Sequence, residues 1–352
     1  MRSTRRPQPA LEKLSRAPTI RDVARHADVS VATVSRVLNR PELVSPDVVQ
    51  RVHSTIRLLE YIPNGSARAL ASRATRMVAA VMPTIDGAIY SKMISAMQQA
   101  FERRGFVLSI AAHEYSLLRE LESVRALIER GVDAIILVGK IHDPAVYDLI
   151  RRKRIPLLLM CVYEPDGEWP TVGWSNRAGG MRIANYLVDI GHRNFGIISG
   201  IRADNDRAAD RVDGFVAALK SRDLDIPEDC IVQCRYDLAE SANALRHLLA
   251  GEQPPTAILC GNDVLATGAL LECLRLGIRV PQDVSIAGYD DLPLAAHLVP
   301  PLTTLRIPAE QIGRLSAETV IGLIENHPTP HHVNVEVDLI LRGTTAPAGA
   351  RV

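Results

Sequence analysis

From Met77 onward the chain alternates short apolar runs with longer amphipathic stretches, and this alternation restricts the fold more than any other feature. The runs are Met77 to Met82, Val107 to Ala111, Ala134 to Val138, Leu157 to Met160, Phe195 to Ser199, Ala257 to Leu259 and Val284 to Ala287. Such runs suit strands buried on both faces, and the stretches between them are long enough for the crossover helices that parallel strands require. A mostly parallel α/β sheet is therefore expected. Several runs lead into glycine-rich or polar loops: Pro83-Thr84-Ile85-Asp86-Gly87, Gly139-Lys140, Gly200-Ile201-Arg202, Gly261-Asn262-Asp263 and Gly288-Tyr289-Asp290-Asp291. Strand ends of this kind are where open α/β sheets hold ligands. With 352 residues, 47% of them apolar, the chain exceeds one ordinary core and suggests a small domain plus a large, divided one.

Charge separates the two parts. The net +1 of the whole chain hides 14 Lys and Arg against 6 Asp and Glu in residues 1–76, and 27 against 34 thereafter. A basic head on an acidic body is the electrostatic footprint of a nucleic-acid-binding module carried by something else. No window approaches the roughly 18 consecutive apolar residues of a membrane span, and the Arg-rich start lacks the apolar core of a signal peptide, so a cytoplasmic protein is expected. Five cysteines, with no Cys-x-x-Cys pair, read as reduced structural residues.

The head itself reads as three short helices. Thr19, followed three residues on by Asp22, opens the first, with Ile20, Val23, Ala24 and Ala27 on one face. Ser30 caps the second, from Val31 to Leu38, and Ser45-Pro46 begins a third with an apolar stripe. The outward face of the second helix carries Val31, Ala32, Thr33, Ser35, Arg36 and Asn39. Short side chains let such a helix enter a major groove, where methyl groups meet thymine and Arg36 can pair with guanine. A three-helix protein-interaction module remains the alternative on these grounds alone.

The run from Thr19 through Asn39 resembles the signature helix-turn-helix of the LacI/GalR family of transcriptional regulators, and Tyr61-Ile62-Pro63-Asn64 matches the segment that closes that head. The resemblance implies base reading by Val31 and Ala32, with Thr19, Ser30, Thr33, Ser35, Arg36 and Asn39 as further DNA contacts. It also implies that Asn64-Gly65-Ser66-Ala67-Arg68-Ala69-Leu70 is a hinge segment, helical only on the correct DNA. Asn64, Ala67 and Arg68 would contact DNA there, and Leu70 would wedge into a base step from the minor groove.

Beyond the hinge, Gly191-His192-Arg193, Gly261-Asn262-Asp263, Val280 to Asp291 and Pro301-Leu302-Thr303-Thr304 resemble the family's effector domain, which has the fold of type I periplasmic sugar-binding proteins. The implied architecture is a helix-turn-helix head plus an α/β body of two doubly wound parallel-sheet subdomains. The expected divisions are a disordered basic tail over 1–18, the head over 19–63, the hinge over 64–76, and an effector-binding and dimerisation domain over 77–347. Its two subdomains are expected at about 77–174 with 305–333, and at about 175–304 with 334–347.

By position, Arg211 and Asp290 match the family's charged effector contacts and Asn262 a polar one. Asp86 lies in the first of these loops, and Ile89 and Tyr90 fall where aromatics flank the ligand. Asp237 falls where an aromatic commonly stacks on the ligand, which disfavours a purine and favours a hydroxyl-rich molecule. Arg207 and Arg211, four apart on one helix, could jointly hold a carboxylate or phosphate. The expected effector is a sugar acid or sugar.

No catalytic motif and no metal-spaced Cys/His cluster is present, and His331-His332 reads as an exposed turn, so neither enzyme activity nor a metal or other cofactor is expected. The expected protein is a homodimeric repressor of a carbohydrate or sugar-acid operon. It would bind a palindromic operator and be released by its effector. The alternatives are a periplasmic-type sugar receptor without transcriptional role and a purine-type, corepressor-dependent regulator.

Overall fold

A computed structural model describes residues 16–62 and 74–349, and these fall into two compact units that meet in sequence between Thr75 and Arg76. The first unit is three helices around a small core. α1 (Ile20–His26) starts where the Asp22 carboxylate accepts hydrogen bonds from the backbone amide of Thr19 at 2.9 Å and its hydroxyl at 2.7 Å. The chain then turns through Asp28, whose φ of 50° is a conformation that Asp tolerates better than most residues. Ser30 accepts from the Thr33 amide at 3.0 Å and starts α2 (Val31–Asn39), and Pro46 at the first helical position starts α3 (Pro46–Leu58). Val23, Ala24, Ala27, Val34, Val37 and Val52 form the buried centre, closed over by Tyr61 and Leu59.

The bonds from Thr19, its hydroxyl first, hold the buried Asp22 carboxyl down at about 2, with Arg16 adding its charge. A depressed carboxyl stabilises the folded state above its unfolded value of about 4, and that contribution is lost as pH falls through about 2. Asp22→Asn is therefore expected to lower the hydrogen-exchange protection of the α1 amides at neutral pH. The difference should shrink as pH falls through about 2 and the wild-type carboxyl becomes uncharged like the amide. Equal loss at neutral and at low pH would show that Asp22 acts through shape alone.

The second unit contains two six-stranded sheets. The first has the order β11-β5-β4-β3-β1-β2, from β1 (Met77–Met82), β2 (Val107–Ala112), β3 (Ala134–Val138), β4 (Leu157–Met160), β5 (Thr171–Gly173) and β11 (His332–Asn334). All its pairings are parallel. The second has the order β12-β10-β9-β8-β6-β7, from β6 (Phe195–Gly200), β7 (Ile231–Cys234), β8 (Ala257–Cys260), β9 (Ser285–Asp290), β10 (Thr303–Arg306) and β12 (Asp338–Ile340). Only its edge pair β10–β12 is antiparallel. The chain passes from one lobe to the other between β5 and β6, between β10 and β11, and between β11 and β12.

The apolar runs named from the sequence are all strands. The strands not foreseen, β5, β7, β10, β11 and β12, have three or four residues each and lack the unbroken apolar run that marks the equally short β4 and β8. His331-His332, expected in an exposed turn, instead leads into edge strand β11, where His332 Nδ1 meets Thr171 Oγ1 at 3.0 Å.

Helices cover both lobes. α4 (Ala88–Arg103) packs with α11 (Ala309–Ile324) in the first lobe, and α7 (Asn176–Asp189) with α8 (Asp206–Lys220) in the second. The α7–α8 crossing is close because each helix presents a glycine to the other's backbone. A Cβ on Gly180 would overlap the Arg211 carbonyl, and one on Gly214 would overlap that of Arg177. This close packing fixes α8, and with it Arg207 and Arg211, against the sheet.

Candidate DNA-reading face and interlobe effector site

On the head, burial of Val34 and Val37 turns the other side of α2 outward. Val31 is 41% exposed, Ala32, Arg36 and Asn39 are exposed too, and Thr33 and Ser35 are half-buried. Asn39 Nδ2 donates to the Ser35 carbonyl at 2.9 Å, which holds its amide against the helix. Thr19 and Ser30 are exposed, at the N-termini of α1 and α2, where free backbone amides favour an anion. Arg21, Arg25, Arg40, Arg51 and Arg57 are likewise exposed and give the head its positive field. The expected hinge contacts Asn64, Ala67, Arg68 and Leu70 lie outside the described residues.

In the body, the carboxyl ends of both sheets face one seam between the lobes, and charged side chains are buried in it. Arg211 donates from Nε to Asn176 Oδ1 at 2.8 Å and from Nη1 to the Gly261 carbonyl at 2.7 Å. Its guanidinium lies 4.0 Å over the Tyr289 ring and 4.0 Å from Asp290 Oδ1. Tyr289 in turn accepts from Trp174 Nε1 at 2.7 Å. Glycine-rich as it looked, the Gly288-Tyr289-Asp290 segment is the end of β9, not a loop, and Tyr289 is fully buried. Burial pushes the Asp290 carboxyl up to about 6 although Arg211 opposes it. Its neighbour Asp263, buried and facing Asp290, is pushed up to about 8 while accepting from Thr304 Oγ1 at 2.5 Å and the Leu292 amide at 2.7 Å.

Arg207 crosses the seam. It donates to the Val138 carbonyl of the first lobe at 2.9 Å and to its own neighbour Asp206 at 2.6 Å, while Asp206 Oδ2 accepts from the Lys140 amide at 2.9 Å. Lys140 Nζ reaches Glu164 at 2.6 Å and Asp210 at 3.3 Å. Gly139 sits at φ +91°, and a Cβ there would overlap Arg207 and Asp206. Tyr90 is close to both arginines, and burial raises its phenol well above the ordinary value. Tyr115 of the first lobe and Tyr236 of the second meet across the seam with ring centroids 6.2 Å apart.

The fold thus brings Tyr90, Arg207, Arg211 and Asp290 together and gives the other expected residues different surroundings or roles. Ile89 is half-buried against the core beside them. Asn262 caps α10 (Asp263–Leu276), accepting from the Leu265 amide at 3.0 Å. Asp86 is exposed, its amide bonded to Thr84. Asp237 is exposed as well, and Oδ1 accepts from the amides of Ala239 and Glu240 to cap α9 (Leu238–Leu249). The ring expected at its place is supplied one residue earlier by Tyr236, so the argument against a purine drawn from Asp237 loses its basis. Asp237 with Glu240 three residues on is itself a capping signature, a signal that could have placed it. Nor do Arg207 and Arg211 form a joint clamp, because each is already engaged by different acceptors. Residues that sequence reasoning missed are Tyr115, Tyr236, Asn176, Asp206 and Asp263.

A head with an exposed polar recognition helix and a two-lobed body with a charged seam have the build of a DNA-binding regulator. Residues 19–64 match the profile of the bacterial regulatory proteins of the lacI family, and residues 184–345 that of the periplasmic binding protein-like domain. The chain is 30% identical over 331 residues to the HTH-type transcriptional repressor PurR of Pectobacterium carotovorum, covering 93% of this chain and 97% of that one. Among solved structures, a LacI-family transcriptional regulator from Silicibacter pomeroyi superimposes with a TM-score of 0.85 at 25% identity, covering 93% of this chain and 99% of that one. The transcriptional regulator CelR, in complex with cellobiose, superimposes with a TM-score of 0.69 at 27% identity and the same coverage. The chain belongs to the LacI family of DNA-binding transcriptional repressors. Among the described residues, no helix is long and apolar enough to cross a membrane.

Proposed function

We propose that the protein represses its target genes as a homodimer on a palindromic operator, and that a small neutral, polar ring compound in the interlobe seam governs that binding. The observation that carries the effector part is the pair of buried arginines flanked by Tyr90, Tyr115, Tyr236 and Asp290 at the strand ends. Buried charge is costly to a fold and is concentrated where ligands bind. Because Arg207 is paired with Asp206 and Arg211 already donates to Asn176 and the Gly261 carbonyl, an acidic group on the effector gains little, and hydroxyls or ring nitrogens that exchange bonds with Asp290 and Arg211 fit better. A carbohydrate is the first reading. A purine is the second, favoured by the Tyr115–Tyr236 wall and by the likeness to PurR.

Two exposed apolar surfaces support the homodimer. One is a groove of about 410 Å³ between α4 and the edge strand β2, lined by Ile85, Ile94 and Ile110. The other is the outer face of α10, where Leu271, Leu274 and Leu276 are exposed.

Thermal unfolding with neutral sugars, sugar acids and purine bases tests the effector. A ligand at 100 times its Kd adds about 2.7 kcal/mol, a shift of roughly 5–10 °C for a body of this size. Stabilisation by purines alone moves the assignment to the second reading, and by sugar acids alone overturns the neutral-ring argument. For the head, exchanging Val31 or Ala32 for larger polar residues is expected to change which operator is recovered by binding-site selection, at about 1–3 kcal/mol per altered base contact. Recovery of the wild-type operator by every such variant would remove α2 as the reading element.

A further inference from the structure

Behind the seam, at the carboxyl ends of β2 and β3, a second polar cluster is buried. His113 follows β2, Glu120 lies in the first turn of α5 (Leu117–Glu129), and His142 lies in the loop before α6 (Pro144–Lys153). All three are buried. His142 Nδ1 is 2.8 Å from Glu120 Oε1, and Nε2 is 3.1 Å from the Gly139 carbonyl. A carbonyl oxygen only accepts, so Nε2 carries a proton. The bond to Glu120 then needs another, on Nδ1 or on the carboxyl. In either placement the dyad holds one proton more than a neutral imidazole beside a carboxylate.

Gly139 is the acceptor in this dyad and also the centre of the interlobe contact. The Val138 carbonyl on one side receives Arg207 and the Lys140 amide on the other donates to Asp206. We propose that His142 is a proton-dependent positioning residue, whose shared proton with Glu120 fixes the Gly139 peptide so that Val138 and Lys140 bond to the second lobe. When that proton leaves, one N–H remains for two acceptors. The charged carboxylate takes it, since charge-assisted bonds are the stronger. Nε2 then turns a lone pair toward the Gly139 carbonyl, and the strip from Val138 to Lys140 is pushed out of register with Arg207 and Asp206.

The groups around the dyad agree with this. From the end of β2, His113 approaches Glu120 Oε1 only to 3.7 Å, beyond hydrogen-bonding range, and burial holds it toward its neutral form despite the Glu120 charge. Glu120 Oε2 and His113 Nδ1 have no hydrogen-bond partner among the described residues, so His142 is the imidazole that Glu120 binds. From α6, Tyr147 packs its ring 5.6 Å from His142 and donates to the Lys140 carbonyl at 2.9 Å, while Asp143 caps the helix. From α8, Arg207 and Asp206 press on Gly139 and form an ion pair with each other, so neither offers His142 another proton.

The device does not depend on which effector the seam takes, and full-length protein without ligand tests it. The readout is the hydrogen-exchange protection factor of the Lys140 amide, compared from about pH 6 to about pH 9. In the wild type, protection is expected to fall as pH rises, by up to about tenfold per pH unit once the proton has left. Glu120→Gln supplies a neutral donor to Nδ1 and keeps the proton on Nε2, so its protection should stay high and flat. His142→Gln should be flat as well, because it carries no titratable proton. Flat protection in the wild type, or the same fall with pH in both glutamine variants, would overturn the assignment.

Discussion

Arg211→Ala is expected to destabilise the body by about 3–5 kcal/mol, because it strands a buried carboxylate. Arg211 holds Asn176, the Gly261 carbonyl, the Tyr289 ring and, at 4.0 Å, Asp290. Asp290 already sits at about 6, above its ordinary value, with burial raising it and Arg211 restraining it. A carboxyl whose folded value is raised gives stability below its unfolded value, and loses it as pH rises through the folded one. Removing Arg211 takes away the restraint, so the loss should grow from about pH 5 to about pH 8. Asp290→Asn in the same chain should recover much of it at the higher pH. Urea unfolding at the two pH values measures both effects. A loss independent of pH, with no recovery in the double variant, would mean that Arg211 acts by packing and not by charge.

Gly139→Ala carries the second large effect. At φ +91° a non-glycine residue is strained, at a cost of about 1–3 kcal/mol, and here the added methyl also overlaps Arg207 and Asp206. The expected result is lost protection at the Lys140 amide together with a lower melting temperature. Wild-type protection at Lys140 in Gly139→Ala would show that the seam yields without cost.

Much of the site was hidden for a physical reason. Helix and strand periodicity is local, so the runs at Met77, Ala134 and Phe195 declare themselves as strands. β11 and β12, three residues each, exist only because a neighbouring strand accepts their bonds. The sequence places Arg207 and Arg211 on one helix face but says nothing of what faces them. Their acceptors come from Val138, Asn176 and Gly261, up to 69 residues away. Tyr236 was passed over for the adjacent Asp237 because a difference of one position is invisible without the cap that occupies Asp237.

The amino-acid sequence by itself determines a basic three-helix head with a small-residue recognition face, and a parallel α/β body whose strand ends carry polar loops. Those properties follow from charge, capping and period, which act between near neighbours. Only the tertiary structure decides that Tyr115 meets Tyr236, that Asp263 faces Asp290, and that His142, Glu120 and Gly139 are joined. Such pairings link residues far apart in the chain, and packing of the two sheets is what selects them.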